Sequence, residues 1–349
     1  VSGHDQEALL MDMNGKIVYN WKYDISELWG SDKYNYFTQS GLTYWRRAHL
    51  LGNGGLLAIY EGIGIIKLDF QSNLIWSHNN GAHHDLYVDE DGLIYVLTRK
   101  GLIDEEINPD KPILEDYLTV LSPDGEELRK ISLVDAMRNS RYSAELVMLN
   151  HQAGDIYHTN TVEIITGRYP LPEFKAGNIL ISMRELGTVC VLDPGVEEIV
   201  WLESGMWAFQ HQPELLPNGN ILLFDNLGKK TYSRILEFNP VSQEVVWEYG
   251  NMSNEFFLTT DCGTQQRLPN DNILIVESNA GRAFEVNRDK EIVWEYVSPY
   301  RAGEDDVYIA TLFDVVRIPP DHPFVQKISG SDGSYTSAGK GRNEQVINR

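Results

Sequence analysis

Short apolar runs alternate with polar turns along most of the chain, and one of these runs is copied. A turn followed by an apolar, β-branched strand ending in Trp reads NGKIVYNW at Asn14–Trp21 and SNLIWSH at Ser72–His78. It returns as DGEELRKI (Asp124–Ile131), VEEIVWL (Val196–Leu202), QEVVWEY (Gln243–Tyr249) and KEIVWEY (Lys290–Tyr296). Tryptophan recurs at Trp21, Trp76, Trp201, Trp247 and Trp294, and only the Asp124 copy lacks it. A second unit alternates with the first: a short strand, a turn rich in Pro, Asn, Asp and Gly, then an apolar strand. Its turns are LGNGG around Gly54, DEDGL around Gly92, KAGNI around Gly177, LPNGN around Gly219, LPNDN around Asp271 and IPPDHP around Asp321. Asn-Gly and Asp-Gly between apolar runs mark tight hairpins.

Self-similarity of this kind signals a repeat architecture. Six hairpins of each kind predict an all-β chain, a six-bladed β-propeller of four-stranded blades over residues 1–327. The chain opens on an outer hairpin (LLMDMNGKIVYNW) and ends on an inner one (DVVRIPPDHPFV). The sixth blade is therefore expected to pair N- and C-terminal strands, which leaves no open sheet edge. A β-sandwich would not explain a Trp-terminated repeat copied around the chain, and the tryptophans read as core packing. Two insertions break the period: Ile25–Leu42, expected as a long loop, and Val134–Leu149, whose apolar spacing predicts a short helix between blades two and three. Residues 328–349 are polar and expected as a flexible or extended tail.

Charge narrows the functions open to such a fold. The protein is acidic, with 51 Asp and Glu against 29 Lys and Arg and a formal charge of −22, which disfavours nucleic acid as a partner. An anionic substrate would need a local cluster of positive charge. The two cysteines, Cys190 and Cys262, fall in different repeats and read as free buried thiols. No apolar run is long enough to cross a bilayer, and any leader or membrane anchor would lie outside the given chain.

The repeat also works as a ruler. Eight positions before each turn glycine stand Arg46, His84 and His211, with Gly263 and Phe313 at the matching positions of the last two repeats. The HTNTVEI segment places His158 there by pattern. Seven positions after the turn glycine stand Glu61, Arg99, Arg184, Asn226 and Ser278. Three histidines and several arginines are thus expected on one rim of the central channel, an arrangement suited to a small anion. Three imidazoles, His84, His158 and His211, are also a common metal ligand set, with Asp85 close by. The adjacent arginines argue against a bare cation, and neither metal nor cofactor is expected. His83 is expected to point away from the channel if His84 points in.

At these residues the chain resembles the bacterial arylsulfotransferase family. The resemblance is carried by GDIYHTN (Gly154–Asn160), GNILISMR (Gly177–Arg184), FQHQPELLPNGNILLFDN (Phe209–Asn226) and TQQRLPNDNILIVESNAGRAFEVN (Thr264–Asn287). It spans roughly residues 44 to 320. It implies transfer of a sulfuryl group from an aryl sulfate to a phenolic acceptor through a sulfohistidine, with His211 as nucleophile. It further implies catalytic roles for His158, His84 and Arg184, with Asn160 beside the transferring group; Arg99, Arg46 and Asn226 complete the expected substrate-binding set by register. A periplasmic or otherwise extracytoplasmic location follows from the same resemblance. The chain departs from well-known members in lacking an additional amino-terminal β-domain and a disulfide near the nucleophile. Two rival readings remain at this stage: a metal-dependent hydrolase, and a non-catalytic propeller serving as a binding or structural subunit. In the second, the C-terminal tail would meet a protein partner.

Overall fold

The structure is a computed structural model describing residues 1–29, 40–167 and 169–329. The first hairpin pairs β1 (Glu7–Met11) with β2 (Ile17–Lys22). Four-stranded antiparallel sheets then follow one another along the chain. Blade 1 is β3 (Arg47–Leu50), β4 (Leu56–Tyr60), β5 (Gly64–Leu68) and β6 (Leu74–His78). Blade 2 is β7 (Ala82–Val88), β8 (Ile94–Asp104), β9 (Asn108–Leu121) and β10 (Glu127–Ser132), with the short β11 (Gly154–Asp155) added in parallel to β9. Blade 3 is β12 (Thr159–Ile164), β13 (Ile179–Met183), β14 (Thr188–Asp193) and β15 (Glu198–Ser204). Blade 4 is β16 (His211–Leu215), β17 (Ile221–Asp225), β18 (Arg234–Phe238) and β19 (Val245–Tyr249). Blade 5 is β20 (Thr264–Arg267), β21 (Ile273–Glu277), β22 (Arg282–Val286) and β23 (Ile292–Val297).

The second strand of blades 1, 3, 4 and 5 is buried along its whole length, because it is covered on both faces by neighbouring blades. Outer strands such as β19 and β23 alternate between covered and exposed positions. The repeated tryptophans do more than pack. Trp76 Nε1 donates to Pro123 O (3.2 Å) in the next blade's outer turn, and Trp247 Nε1 donates to Arg288 O (3.1 Å) in the same way. The indole N–H is the polar handle that lets one side chain be half-buried and still bonded.

The ring is a five-bladed propeller, and the expectation of six blades is corrected. Between blades 5 and 1 stand only the β1–β2 hairpin and an irregular segment around residues 310–322. The expected inner hairpin at DVVRIPPDHPFV does not form. Pro319 and Pro320 have no N–H to give to a ladder. Arg317 N donates instead to the Gln266 side chain (2.8 Å), and a helix, Pro323–Ser329, begins where a strand was expected. The termini do meet, through an isolated bridge between Ser2 and Leu312. The hairpin is held from both sides: Trp294 Nε1 donates to Met13 O (3.1 Å), and Trp21 Nε1 donates to Gly54 O (2.9 Å). Phe324 of the helix is fully buried against Tyr19 and Trp21, which contributes roughly 1.5–3 kcal/mol. The incomplete position leaves an apolar cavity of about 1480 Å³, lined by Leu10, Leu50, Trp294, Leu312 and Val325 among others. His84, His158 and His211 do not line it.

The insertion after blade 2 holds a helix, Leu133–Arg138, capped by the Ser132 side chain, and a 3-10 segment, Ser143–Leu149. Of the expected loop Ile25–Leu42, the two ends form single 3-10 turns, Ile25–Glu27 and Ser40–Leu42, and residues 30–39 lie outside the described residues. The expected tail begins inside the last turn of the C-terminal helix, and its residues 330–349 lie outside the described residues. Both cysteines are free. Among the described residues, no helix is long and apolar enough to cross a membrane.

Candidate active site

The innermost strands of blades 2, 3 and 4 share a defect that the other two lack. In β7, β12 and β16 the pairing with the next strand slips, between Ala82 and Leu86, between Thr159 and Thr161, and between His211 and Glu214. The corresponding pairs in blades 1 and 5 run without interruption. Non-glycine residues at the slips adopt the left-handed region: His84 (φ 52°), His158 (φ 48°), Phe209 (φ 56°) and Gln212 (φ 45°). Each such residue costs on the order of 1–3 kcal/mol. Bulges bend a strand and re-aim its side chains, and these three occur where the three histidines stand.

His211 opens β16 and is buried. Its Nδ1 lies 2.8 Å from Asn226 Oδ1 and 3.0 Å from Phe209 O, so Nδ1 carries the proton and donates. Its Nε2 is buried and has no hydrogen-bond partner among the described residues. Burial pushes the imidazole pKa down to about 3; the Asn226 hydrogen bond opposes this, and the charges of Arg46, His158 and Arg184 add to it. The ring is therefore neutral, with its lone pair on Nε2.

Arg184 follows β13 and lies over the Phe209 ring, its Cζ 4.4 Å from the centroid. One of its terminal nitrogens pairs with Glu185, and its Nε is buried without a partner. His158 Nδ1 is 2.7 Å from Asp155 Oδ2. Burial raises the Asp155 pKa, but the hydrogen bond from His158 and the charges of His158 and Arg99 outweigh it and hold it down to about 2. The His158 and His84 rings meet edge to face at 4.6 Å. Glu61, just after β4, accepts from His84 N (3.0 Å) and lies 3.4 Å from Arg99 and 4.0 Å from Arg46. Burial, then the charges of His158, Arg46, His83 and Arg99, put the His84 pKa well below the ordinary histidine value.

His84, His158, His211, Arg46, Arg99 and Arg184 thus face one another. The cluster is less cationic than the register expects, because Glu61, Asp155 and Glu185 each sit against an arginine. Asn160 and Asn226 stand behind the histidines. Asn160 Nδ2 donates to Gln210 O (2.8 Å), and Asn226 Nδ2 donates to Thr259 O (2.8 Å) and Cys262 O (2.5 Å). Both amides position the His211 segment. His84, His158 and His211 do not converge as a ligand set; among the described residues the group with metal-ligating atoms within 4.8 Å of one another is Glu61, His83 and His84. Two arginines already contact that glutamate.

Several partners were not singled out from sequence. Arg47 is buried and spans the ring, donating from Nε to Asp85 Oδ1 (2.7 Å) and from Nη2 to Gln212 Oε1 (2.7 Å), with Nη1 2.9 Å from Asp314 Oδ2. Asp85 also accepts from Val162 N (3.0 Å), which makes it a bracket between blades 2 and 3 and not a ligand. Alternation along a strand separates Arg47 from Arg46, and that was the available signal. His83 and Asp155 had none, since each is placed by a break in that alternation or by a non-local contact.

The fold and site define a class: a five-bladed propeller with a buried, neutral histidine at one end of its channel, ringed by arginines and further histidines. The family profile described as arylsulfotransferase (ASST) matches residues 47–299, well over half of the sequence, and the chain belongs to that family. Among solved structures, it is similar to a protein of unknown function from Bacteroides caccae (12% identity, 84% of this chain and 91% of that one, TM-score 0.54). It also matches the Cps50 (Swd1) β-propeller domain of Myceliophteria thermophila (11% identity, 85% and 81% covered, TM-score 0.49). Virginiamycin B lyase of Staphylococcus aureus matches at 11% identity, with 72% and 69% covered and a TM-score of 0.42. At such identity the first likeness is one of fold. No protein with a curated description matches.

Proposed function

We propose that the protein transfers a sulfuryl group from an aryl sulfate to a phenolic acceptor, with His211 carrying the group between them. The observation that supports this is a pair of orphaned buried nitrogens on either side of Phe209: the lone pair of His211 Nε2 and the N–H of Arg184 Nε. One can attack sulfur and the other can bond a sulfate oxygen. Attack by Nε2 on the donor forms an N–S bond and breaks the S–O bond to the aryl oxygen, which leaves as phenolate. The acceptor oxygen then attacks sulfur, and the N–S electron pair returns to Nε2. Splitting one difficult transfer into two is the advantage of a covalent carrier. Arg46, Arg99 and Arg184 would stabilise charge developing on the sulfuryl and phenolate oxygens, and removing one such donor typically costs about 10²–10³ in rate. No step calls for a metal or cofactor.

The test is incubation with 4-nitrophenyl sulfate and phenol. Release of nitrophenolate, a phenyl sulfate product and an acid-labile sulfo adduct on His211 are expected. Turnover that survives His211→Ala would refute the carrier. An extracytoplasmic setting belongs to this proposal on the strength of the family resemblance, and fractionation of producing cells tests it.

A further inference from the structure

Blade 2 contains a buried chain of side chains that the two-step scheme does not use. His83 and His84 are adjacent in sequence, and a regular strand would point them to opposite faces. The bulge in β7 and the left-handed φ of His84 bring them together, with Nδ1 of one 2.9 Å from Nδ1 of the other. Beyond them, His83 Nε2 lies 3.3 Å from Asp116 Oδ1 in β9. His83 and Asp116 are fully buried, and neither of those two atoms has a hydrogen-bond partner among the described residues. The other Asp116 oxygen accepts from Thr159 N at 2.8 Å, next to His158, which fixes the carboxylate.

These contacts determine where the protons sit. A buried lone pair on His83 Nε2 facing a buried carboxylate oxygen would leave both without a donor, at the full cost of two unmet groups. A proton on His83 Nε2, pointing at Asp116, meets both. His83 Nδ1 is then the acceptor, so the proton in the 2.9 Å contact belongs to His84 Nδ1. That leaves Nε2 of His84 unprotonated. Glu61 Oε1, 3.3 Å from the same His84 Nδ1, favours this arrangement.

We propose that Asp116 and His83 are positioning residues that hold His84 in its Nδ1–H form, so that His84 Nε2 is the general base for the acceptor phenol. This rests on the sulfuryl-transfer reading of the site. In the second half of the reaction the phenol O–H bond breaks and its proton goes to His84 Nε2. The phenolate oxygen bonds to sulfur, and the N–S pair returns to His211. The charge gained by His84 is stabilised through Nδ1–H to His83 and through His83 Nε2–H to Asp116. The proton then leaves to solvent or to the next departing phenolate.

The rival use of the same atoms is a metal held by Glu61, His83 and His84. That would need both Nδ1 lone pairs to face an ion, whereas their contact is at hydrogen-bond distance and Arg46 and Arg99 already flank Glu61.

The experiment separates the two half-reactions in the full chain, with Asp116→Asn as the variant. Thr159 N–H must keep an acceptor, so the new amide turns its oxygen there and its NH₂ towards His83, which reverses the tautomers. With 4-nitrophenyl sulfate, whose leaving group needs no acid, the burst that sulfates His211 is expected to persist. The phenol-dependent rate is expected to fall roughly 10²-fold or more. The fall is expected to vanish with acidic phenols already ionised at the assay pH, a rescue that a merely structural defect would not show. His83→Asn, too short to reach both His84 and Asp116, is expected to behave alike and covers the case in which the first variant does not fold. The pH profile of the acceptor step is read against the groups facing this pair: Glu61, His158, Arg46 and Arg99 around His84, and Asp116 and Asp155 around His83. No burst in the unaltered protein would sink the sulfuryl-transfer reading itself. A normal burst with either no acceptor defect, or one equal for acidic and ordinary phenols, overturns the role of Asp116 and His83. So does a stoichiometric metal whose removal by chelator abolishes turnover.

Discussion

Asn226 accepts the Nδ1 proton of His211 because its own amide nitrogen is committed elsewhere. Its Nδ2 donates to the carbonyls of Thr259 and Cys262, so the oxygen must face the imidazole at 2.8 Å. A flipped amide would break all three contacts. The pair therefore fixes which histidine nitrogen has the free lone pair, and it does so with a neutral partner that adds no negative charge beside an anionic substrate.

Replacing Asn226 by Ala should thus damage both chemistry and folding. Two carbonyls and one imidazole N–H lose their partner, and the expected destabilisation is about 1–3 kcal/mol. The burst of nitrophenolate should slow at least tenfold, as loss of an outer partner to an active histidine generally does. Single-turnover kinetics and urea unfolding measure the two effects. A full-rate burst would mean that Phe209 O alone sets the tautomer.

The acid–base behaviour of the channel gives a second test at Glu163 in β12. Burial, then the charge of Glu214, pushes its pKa well above the usual glutamate value; hydrogen bonding from Leu215 N opposes this, and Asp85 adds to it. A carboxyl with a raised folded-state pKa contributes stability that is present below the unfolded value, near 4.5, and lost as pH rises through the folded one. Glu163→Gln removes that loss while keeping an acceptor for Leu215 N. The variant should match the parent near pH 4.5 and exceed it at neutral pH, in urea midpoints taken across that range. An unchanged pH slope would mean that Glu163 keeps its proton-binding affinity unfolded.

The arginine across the ring makes a stability prediction of the opposite kind. Arg47 is the counter-charge for both Asp85 and Asp314, and all three are buried. Arg47→Met leaves two buried carboxylates unpaired, which should cost about 3–5 kcal/mol. Arg47→Lys should recover little, since an ammonium cannot reach Asp85, Asp314 and Gln212 from one planar fork. Urea unfolding of the two variants checks both statements.

How much of this was legible beforehand depends on the range of each contact. The blades were readable because Asn-Gly and Asp-Gly turns, and strands such as Ile221–Asp225, are specified locally. Blade count was misread at the last repeat, where IPPDHP has the turn residues of a hairpin but its prolines and a helix starting at Pro323 leave nothing to pair. The histidine positions could be aligned by counting because the bulges fall at similar places in β7, β12 and β16. The bulges themselves could not be read, since no residue type in HHD, HTN or FQHQ demands a positive φ. Hence His83 was expected to point away from His84, and Asn160 and Asn226 were expected on the substrate and stand behind it. Their partners are carbonyls distant in sequence, which no local pattern reveals.

Phe209 is where that unreadable strain has a use, and it supplies the last prediction. A bulky residue at φ 56° is costly, and glycine would relieve the cost. Yet this conformation aims the Phe209 carbonyl at His211 Nδ1 (3.0 Å) while its ring supports the Arg184 guanidinium (4.4 Å). Phe209→Gly should therefore release backbone strain and lose the arginine platform together. Stability is expected to change little, since strain of about 1–3 kcal/mol is offset by lost burial and a cation–π contact of similar size. Sulfation of His211 is expected to slow about tenfold or more, with the donor KM raised, because Arg184 would no longer be held where a sulfate oxygen could meet it. Phe209→Leu, which keeps the strain and loses only the π face, should raise KM and also unfold more easily. Steady-state kinetics and urea midpoints on the two variants separate backbone from ring. If the glycine variant were as active as the parent, neither the strain nor the stacking would serve the reaction.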